Sequence, residues 1–128
     1  MTIPTLDPMM TAAWEALDAR ADAFDPDLRA WFEADPDRAS KWTKTAADLR
    51  VDLSKNLIDE GVLADLLALA QQCGVGELRE RMFAGEHINT TEDRAVLHTA
   101  LRRPATDSLT VDGQDAIADV HEVLEKVY

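Results

Sequence analysis

Three Asp–Pro pairs constrain the first third of this chain more than any other feature of its sequence. Aspartate caps a helix by accepting amide hydrogens that lack a partner, and proline suits the first helical position, where no donor is needed. The pairs therefore predict three consecutive helix starts. They are Asp7-Pro8, Asp25-Pro26 and Asp35-Pro36.

Apolar residues recur at helical spacing after these pairs. The spacing predicts a helix over residues 8–24, a second over residues 26–34, and a short helical turn ending near residue 42. We interpret the aromatic side chains of these helices as core, with a ligand cage as the alternative. They are Trp14, Phe24, Trp31, Phe32 and Trp42.

The hydrophobic period then changes. Leu49, Val51 and Leu53 alternate with polar residues, which predicts a strand, and residues 41–46 are its expected partner. Together with the helices, this pattern predicts a mainly α fold with a minor β-hairpin.

The second half returns to helical patterns. Asp59 is expected to cap an apolar helix that ends at Gly74, and its broad apolar stripe favours a place in the core. A short helix over residues 77–84 closes at Gly85. Thr90 and Asp93 have the spacing of a shortened capping box, which predicts a helix over residues 91–102.

The last stretch predicts a strand over residues 109–111, a turn at Asp112-Gly113, and a helix from about residue 114. This helix is expected to bury four apolar side chains: Ile117, Val120, Leu124 and Val127. Its apolar stripe continues to Tyr128 without a closing glycine, proline or polar tail, so we expect the chain to stop within an element.

Composition narrows the class of protein. The chain of 128 residues is long enough for one domain, and 46% apolar residues argue against disorder. A formal net charge of −12 disfavours nucleic acid and anionic membranes as partners. The first five residues do not resemble a signal peptide, and the one cysteine cannot form an internal disulfide, so we expect a cytoplasmic protein.

The sequence offers little that resembles a reaction centre. Gly74-Val75-Gly76 is a lone G-x-G after a helix, which favours a helix end over a phosphate loop. No pair of His or Cys residues has zinc-ligand spacing, so no metal site is expected. The densest polar stretch, residues 86–94, combines an acid, a base and a cation, but it yields no nucleophile with its base.

That polar stretch carries a family resemblance. Residues 82–102 read MFAGEHINTTEDRAVLHTALR and closely resemble the glucose-6-phosphate isomerase block M-F-x-G-E-x-I-N-x-T-E-x-R-A-V-L-H-x-A-L-R. Residues 52–56 are similar to the family's D-Y-S-K-N, with Leu53 in the place of the usual tyrosine. Residues 111–113 and the helix after them fit the next landmark, so the resemblance covers residues 28–128.

The resemblance implies an enzyme as the parent protein. Family members interconvert glucose 6-phosphate and fructose 6-phosphate through an enediol, in glycolysis and gluconeogenesis. They carry two sugar-isomerase α/β domains, act as homodimers and need no cofactor. By this likeness, residues 1–128 form a single N-terminal helical segment that packs on the remainder of the parent chain.

The resemblance also implies that the segment alone is inactive. The family's phosphate-binding serines and threonines, glutamate base, ring-opening histidine and late lysine all lie beyond it, and the sugar phosphate binds only to the parent. Arg94 and His98, four residues apart in the predicted helix, are the candidates for a supporting role near the parent's active site. Structural hydrogen bonding is the alternative for both residues.

A second function stays open beside this one. An acidic helical chain of this size could be a free-standing module that binds a partner protein. The length of the matching block favours the enzyme segment, because an interaction module has no need of the whole block.

Overall fold

The computed structural model describes residues 6–127, and the chain divides into two compact units. The amino-terminal unit comprises residues 8–69, and the carboxy-terminal unit comprises residues 70–127 with the two described residues before Pro8. Helices dominate both, and each unit holds one short antiparallel hairpin. The predicted mainly α fold with a minor β-hairpin is therefore confirmed. The expectations for residues 1–5 and for Tyr128 lie outside the described residues.

The amino-terminal unit opens with three helices, as predicted, but each begins after its Asp–Pro pair. A 3-10 turn, Pro8–Met10, precedes helix α1 (Ala12–Asp22), and α2 (Leu28–Ala34) and α3 (Arg38–Lys41) follow. The Oγ1 atom of Thr11 accepts the amide hydrogen of residue 14 at 3.1 Å and caps α1. Asp27 caps α2, since its carboxylate accepts from the amides of residues 29 and 30 at 2.9 and 3.1 Å.

At the first two pairs the predicted caps were wrong because better-placed oxygens follow the pair. At the third pair, Asp37 takes the capping position of α3 without a side-chain cap hydrogen bond, and the carboxylate of Asp35 accepts the amide hydrogen of Asp37 at 3.1 Å. Thr11 and Asp27 both have the extended backbone that a capping residue needs, and both reach the amides two or three residues on. The residues expected in this role were Asp7, Asp25 and Asp35.

The predicted hairpin is confirmed. Strand β1 (Thr43–Ala46) pairs antiparallel with β2 (Leu49–Asp52), and the turn between them places Ala47 at a φ of 49°. Almost every side chain of the two strands is exposed. The hairpin therefore gives the unit a strand pair without contributing much to its core.

Helix α4 (Glu60–Gln72) begins and ends as predicted but is not central to a core. Asp59 accepts the amide hydrogen of Val62 at 2.8 Å, and Gly74 follows the helix with a φ of 67°. No residue of α4 is fully buried, and the side chain of Leu67 is 62% exposed. The core prediction was wrong because an apolar stripe indicates which face can be buried, not whether the chain supplies a cover for it.

The carboxy-terminal unit continues with α5 (Val75–Phe83), close to its predicted range. The helix predicted over residues 91–102 is wrong: only a 3-10 turn, Ala100–Arg102, forms there. Asn89 and Arg94 exchange both backbone hydrogen bonds at 3.1 Å, and the side-chain oxygen of Asn89 accepts the amide hydrogen of Glu92 at 3.4 Å. These bonds close a tight turn and use backbone groups that a helix would need.

A second hairpin and a final helix complete this unit. Strands β3 (Thr110–Val111) and β4 (Gln114–Asp115) pair around Asp112-Gly113, whose φ angles of 52° and 82° confirm the predicted turn. Helix α6 follows over Ala116–Val127. Of the apolar residues it was expected to bury, Ile117 is fully buried, the middle two are half-buried, and Val127 is 69% exposed.

Candidate functional site

The polar stretch over residues 86–94 is built around one histidine. Atom Nδ1 of His87 lies 3.0 Å from a carboxylate oxygen of Asp93, and Nε2 lies 3.1 Å from both carboxylate oxygens of Asp112. We call these three residues the His87 cluster. It joins the tight turn at residues 89–94 to the turn between β3 and β4, which follows 25 residues after the histidine in sequence.

Both carboxylates of the cluster come from residues in the left-handed backbone region. Asp93 has a φ of 51° and Asp112 a φ of 52°, values that most side chains disfavour but aspartate tolerates. The two carboxylates raise the pKa of His87 above its ordinary value of 6.5, chiefly through the hydrogen bond with Asp93 and then the one with Asp112. The cluster therefore favours the imidazolium form of the ring.

Gly85 lets the two turns approach each other. It closes α5 with a φ of 75°, and a β-carbon at this position would lie 2.6 Å from Cγ2 of Val111. Beside it, Arg81 at the end of α5 donates to the carboxylate of Glu86 at 2.7 Å. The absence of a side chain at Gly85 thus allows the end of α5 to lie against strand β3.

We predict that Gly85→Ala destabilises the chain more than Gly74→Ala. Both glycines have a positive φ, so alanine strains either site by about 1–2 kcal/mol. Only Gly85 also faces a clash, because a β-carbon at Gly74 would meet nothing within 4 Å. We expect a loss of about 1 kcal/mol at Gly74 and about 2–3 kcal/mol at Gly85, measured by urea unfolding. Equal losses would show that Val111 moves aside freely.

The two candidate residues from the sequence do not share a helical face. Arg94 ends the tight turn, and His98 lies in an irregular segment before the 3-10 turn. Both side chains are exposed, and neither makes a side-chain hydrogen bond or ion pair within the described part of the chain. The prediction that they share a helical face was therefore wrong, although both side chains are open to solvent.

The histidine on α6 differs from His98. His121 on α6 is half-buried, and its Nε2 lies 3.0 Å from the carbonyl oxygen of Arg103. This hydrogen bond ties α6 to the segment after the 3-10 turn. Within residues 6–127, the side chain of His121 thus makes a hydrogen bond and that of His98 makes none.

A second organised group lies in the amino-terminal unit, around a buried arginine. Arg38 is 5% exposed and donates from Nε to the carbonyl of Ser54 at 2.9 Å. Its Nη2 donates to the carbonyls of Asn56 and Ile58 at 3.3 and 2.9 Å. One side chain on α3 thus holds the loop that carries the D-L-S-K-N sequence.

Three aromatic rings surround the same guanidinium group. Its central carbon lies 4.7 Å from the ring centre of Trp31, 5.8 Å from that of Phe32 and 5.1 Å from that of Trp42. These distances allow cation–π attraction, which is stronger away from water. Trp42 is buried and the other two are half-buried, so the core interpretation of these rings is confirmed in part.

The loop beyond β2 is also stabilised from within. The carboxylate of Asp52 accepts the amide hydrogen of Ser54 at 2.8 Å. Hydrogen bonds from the hydroxyl and then the amide of Ser54 lower the pKa of Asp52 below its ordinary value. Ser54 itself is 1% exposed, so the loop is buried at this residue.

Within residues 6–127, no three His, Cys, Asp or Glu side chains converge in a way that could hold a metal ion. Across the same residues, none of the helices has the length and apolar character needed to cross a membrane.

Comparison with known proteins identifies the family. A family model described as phosphoglucose isomerase matches residues 52–128, a range that includes both the Arg38-bound loop and the His87 cluster. The chain therefore belongs to the phosphoglucose isomerase family.

Curated relatives agree with this assignment. The chain is 59% identical over 118 residues to the glucose-6-phosphate isomerase of Corynebacterium efficiens, a match that covers 91% of this chain and 22% of that protein. It is 56% identical over 118 residues to glucose-6-phosphate isomerase 1 of Rhodococcus jostii, covering 91% and 22%. The match to the enzyme of Corynebacterium kroppenstedtii is 50% over 128 residues, covering 99% and 23%. The chain thus spans about a fifth of the length of these relatives.

Proposed function

We propose that the chain is the amino-terminal segment of a longer glucose-6-phosphate isomerase, which interconverts glucose 6-phosphate and fructose 6-phosphate. The observation that carries the proposal is the continuous match of residues 52–128 to the family. The relatives' names supply the reaction, and their greater length supports a parent with further domains.

The same proposal extends to the architecture of the parent. Residues 1–128 form one N-terminal helical segment, and the two sugar-isomerase α/β domains are contributed by the remainder of the chain. The parent works as a homodimer in the cytoplasm, within glycolysis and gluconeogenesis. Exposed apolar residues in each unit support contacts with those domains: Leu66 and Leu67 in the amino-terminal unit, and Leu101, Val123 and Val127 in the carboxy-terminal unit.

The decisive experiment is an intact-mass measurement of the protein purified from its natural source, with an isomerase assay on the same fractions. We expect a chain several times heavier than 14.2 kDa that co-elutes with glucose-6-phosphate isomerase activity. A natural product of 14.2 kDa without activity would instead favour the free-standing interaction module.

Arg94 and His98 are proposed as supporting residues near the parent's active site. Their support comes from exposure: neither side chain is occupied by a neighbour among residues 6–127. The alternative, structural hydrogen bonding, has no side-chain bond of either residue to support it within residues 6–127.

We predict that alanine at two histidines of the intact parent affects different properties, turnover at one and stability at the other. His98→Ala should lower turnover by roughly tenfold. A primary acid or base contributes about 10²–10⁴-fold, and a residue that only orients or polarises a reacting group contributes less. His121→Ala should leave turnover per folded dimer unchanged but lower the free energy of unfolding by about 1 kcal/mol, since it loses the bond to Arg103.

Turnover and melting temperature must be measured on the same samples to separate the two effects. Unchanged turnover for His98→Ala at unchanged folding would exclude the supporting role. The proposed family function would survive that result, because it rests on the match and not on His98.

A further inference from the structure

The His87 cluster has a geometry that only one protonation state satisfies fully. A neutral imidazole has one N–H donor and one acceptor nitrogen, whereas a carboxylate without its proton is only an acceptor. Both ring nitrogens of His87 face carboxylate oxygens, at 3.0 Å and 3.1 Å. A neutral ring would therefore turn a lone pair towards either Asp93 or Asp112.

We infer that the His87 cluster is a pH-sensitive clasp, in which the imidazolium ring of His87 holds the 89–94 turn to the β3–β4 turn and releases one of them on deprotonation. The histidine is the one residue of the cluster that contacts both turns. Its side chain is 34% exposed, so protons exchange with solvent freely. The proposal concerns this chain itself and does not depend on an isomerase activity of the parent.

The backbone of both turns supports a clasp that can open. Each aspartate of the cluster is held in the left-handed region, which is unfavourable for a residue with a side chain. A hydrogen bond to the imidazolium offsets that strain, so deprotonation removes this support from the turn whose aspartate then faces a lone pair. The backbone bridge between Asn89 and Arg94, at 3.1 Å in each direction, lies directly beside Asp93 and reports on closure.

The direction of the pH effect follows from the raised pKa of His87. The folded pKa lies above the ordinary 6.5, so the clasp stabilises the fold fully below about pH 6.5 and is lost as the pH rises through the folded pKa. Asp93 and Asp112 are the charged groups that face the ring from the two turns it joins. Their side chains are 91% and 73% exposed, so screening by solvent and salt keeps the effect modest.

The test is an NMR titration of the histidine rings in the 128-residue chain. We expect His87 to titrate above 6.5, and Asp112→Asn and Asp93→Asn each to lower its pKa. Asp119→Asn is the matched control, because it removes the same charge from an exposed position on α6 outside the cluster. An ordinary pKa in the unmodified chain, or equal shifts in all three variants, would overturn the clasp.

Amide hydrogen exchange at Asn89 and Arg94 tests whether titration is coupled to opening. Protection factors, corrected for the intrinsic pH dependence of exchange, should fall roughly threefold as His87 loses its proton, the scale of exposed charge pairs. In His87→Gln they should be low and independent of pH. Protection that stays constant across the titration of His87, both at this bridge and at the amides of the β3–β4 hairpin, would also overturn the proposal, whatever the pKa.

Discussion

The 128-residue chain purified alone should give no measurable isomerisation of glucose 6-phosphate. Moving a proton between adjacent carbons requires a base held against the substrate, and a phosphate site must fix the sugar in place. The only candidates for a role near that chemistry, Arg94 and His98, are exposed and unpaired among the described residues. In the isolated chain, no neighbour among residues 6–127 holds these side chains against a substrate or shields them from water.

The expected deficit is large. Orientation and general acid–base catalysis together supply at least about a million-fold in rate, and we expect the isolated chain to provide neither. The measurement is a coupled assay with the chain produced in a host that lacks its own isomerase, with the intact parent as the positive control. Turnover that survives repurification and approaches that of the parent would contradict the prediction.

Signals that act over a few residues predicted much of the fold. The β1–β2 hairpin was predicted because its alternation and its turn lie within one short stretch. The ends of α4 and α5 were predicted because Gly74 and Gly85 adopt the left-handed backbone that closes helices. In each case the residues that determine the structure are neighbours in sequence.

The helix predicted over residues 91–102 was wrong because the sequence pattern behind it is compatible with two structures. A threonine three residues before an acid fits a helix start, but aspartate and asparagine also stabilise tight turns through their own side chains. Here Asn89 accepts the amide hydrogen of Glu92, and Asp93 takes a positive φ, so the turn prevails. The local pattern alone could not decide between these outcomes.

The two organised side-chain groups could not be predicted because their partners are distant in sequence. His87 meets Asp112 25 residues away, and Arg38 meets carbonyl groups 16 to 20 residues away. Every residue has a carbonyl, so the acceptors of Arg38 leave no mark in the sequence. The sequence predicts the aromatic residues as core, but nothing in it indicates that an arginine lies among them.

Arg38→Met should lower the free energy of unfolding of the chain by about 3–4 kcal/mol. The change leaves the carbonyls of Ser54 and Ile58 without their donor, whereas that of Asn56 keeps the amide hydrogen of Ile58 at 2.8 Å. Acceptors that lose their donor away from water cost about 1–3 kcal/mol each. It also removes the cation from three aromatic rings, at about 0.5–2 kcal/mol. Methionine restores part of the apolar contact, which keeps the expected total below the sum.

Urea unfolding followed by tryptophan fluorescence measures this directly, because Trp31 and Trp42 both contact the guanidinium group. Arg29→Met is the matched control: Arg29 is exposed on α2, and its guanidinium makes no ion pair or hydrogen bond within residues 6–127. We expect it to change the free energy of unfolding by less than about 0.5 kcal/mol.

Arg38→Lys separates the charge from the shape of the donor. Lysine keeps the positive charge but is a compact ammonium without the planar fork that reaches three carbonyls at once. We expect it to lose more than half of the stability that Arg38→Met loses, about 2–3 kcal/mol, because one ammonium group cannot reach all the carbonyls that the guanidinium group binds. A urea midpoint for Arg38→Met close to that for Arg29→Met would contradict the prediction. It would mean that water replaces the guanidinium group without loss of stability, and that other contacts hold the loop from Ser54 to Ile58.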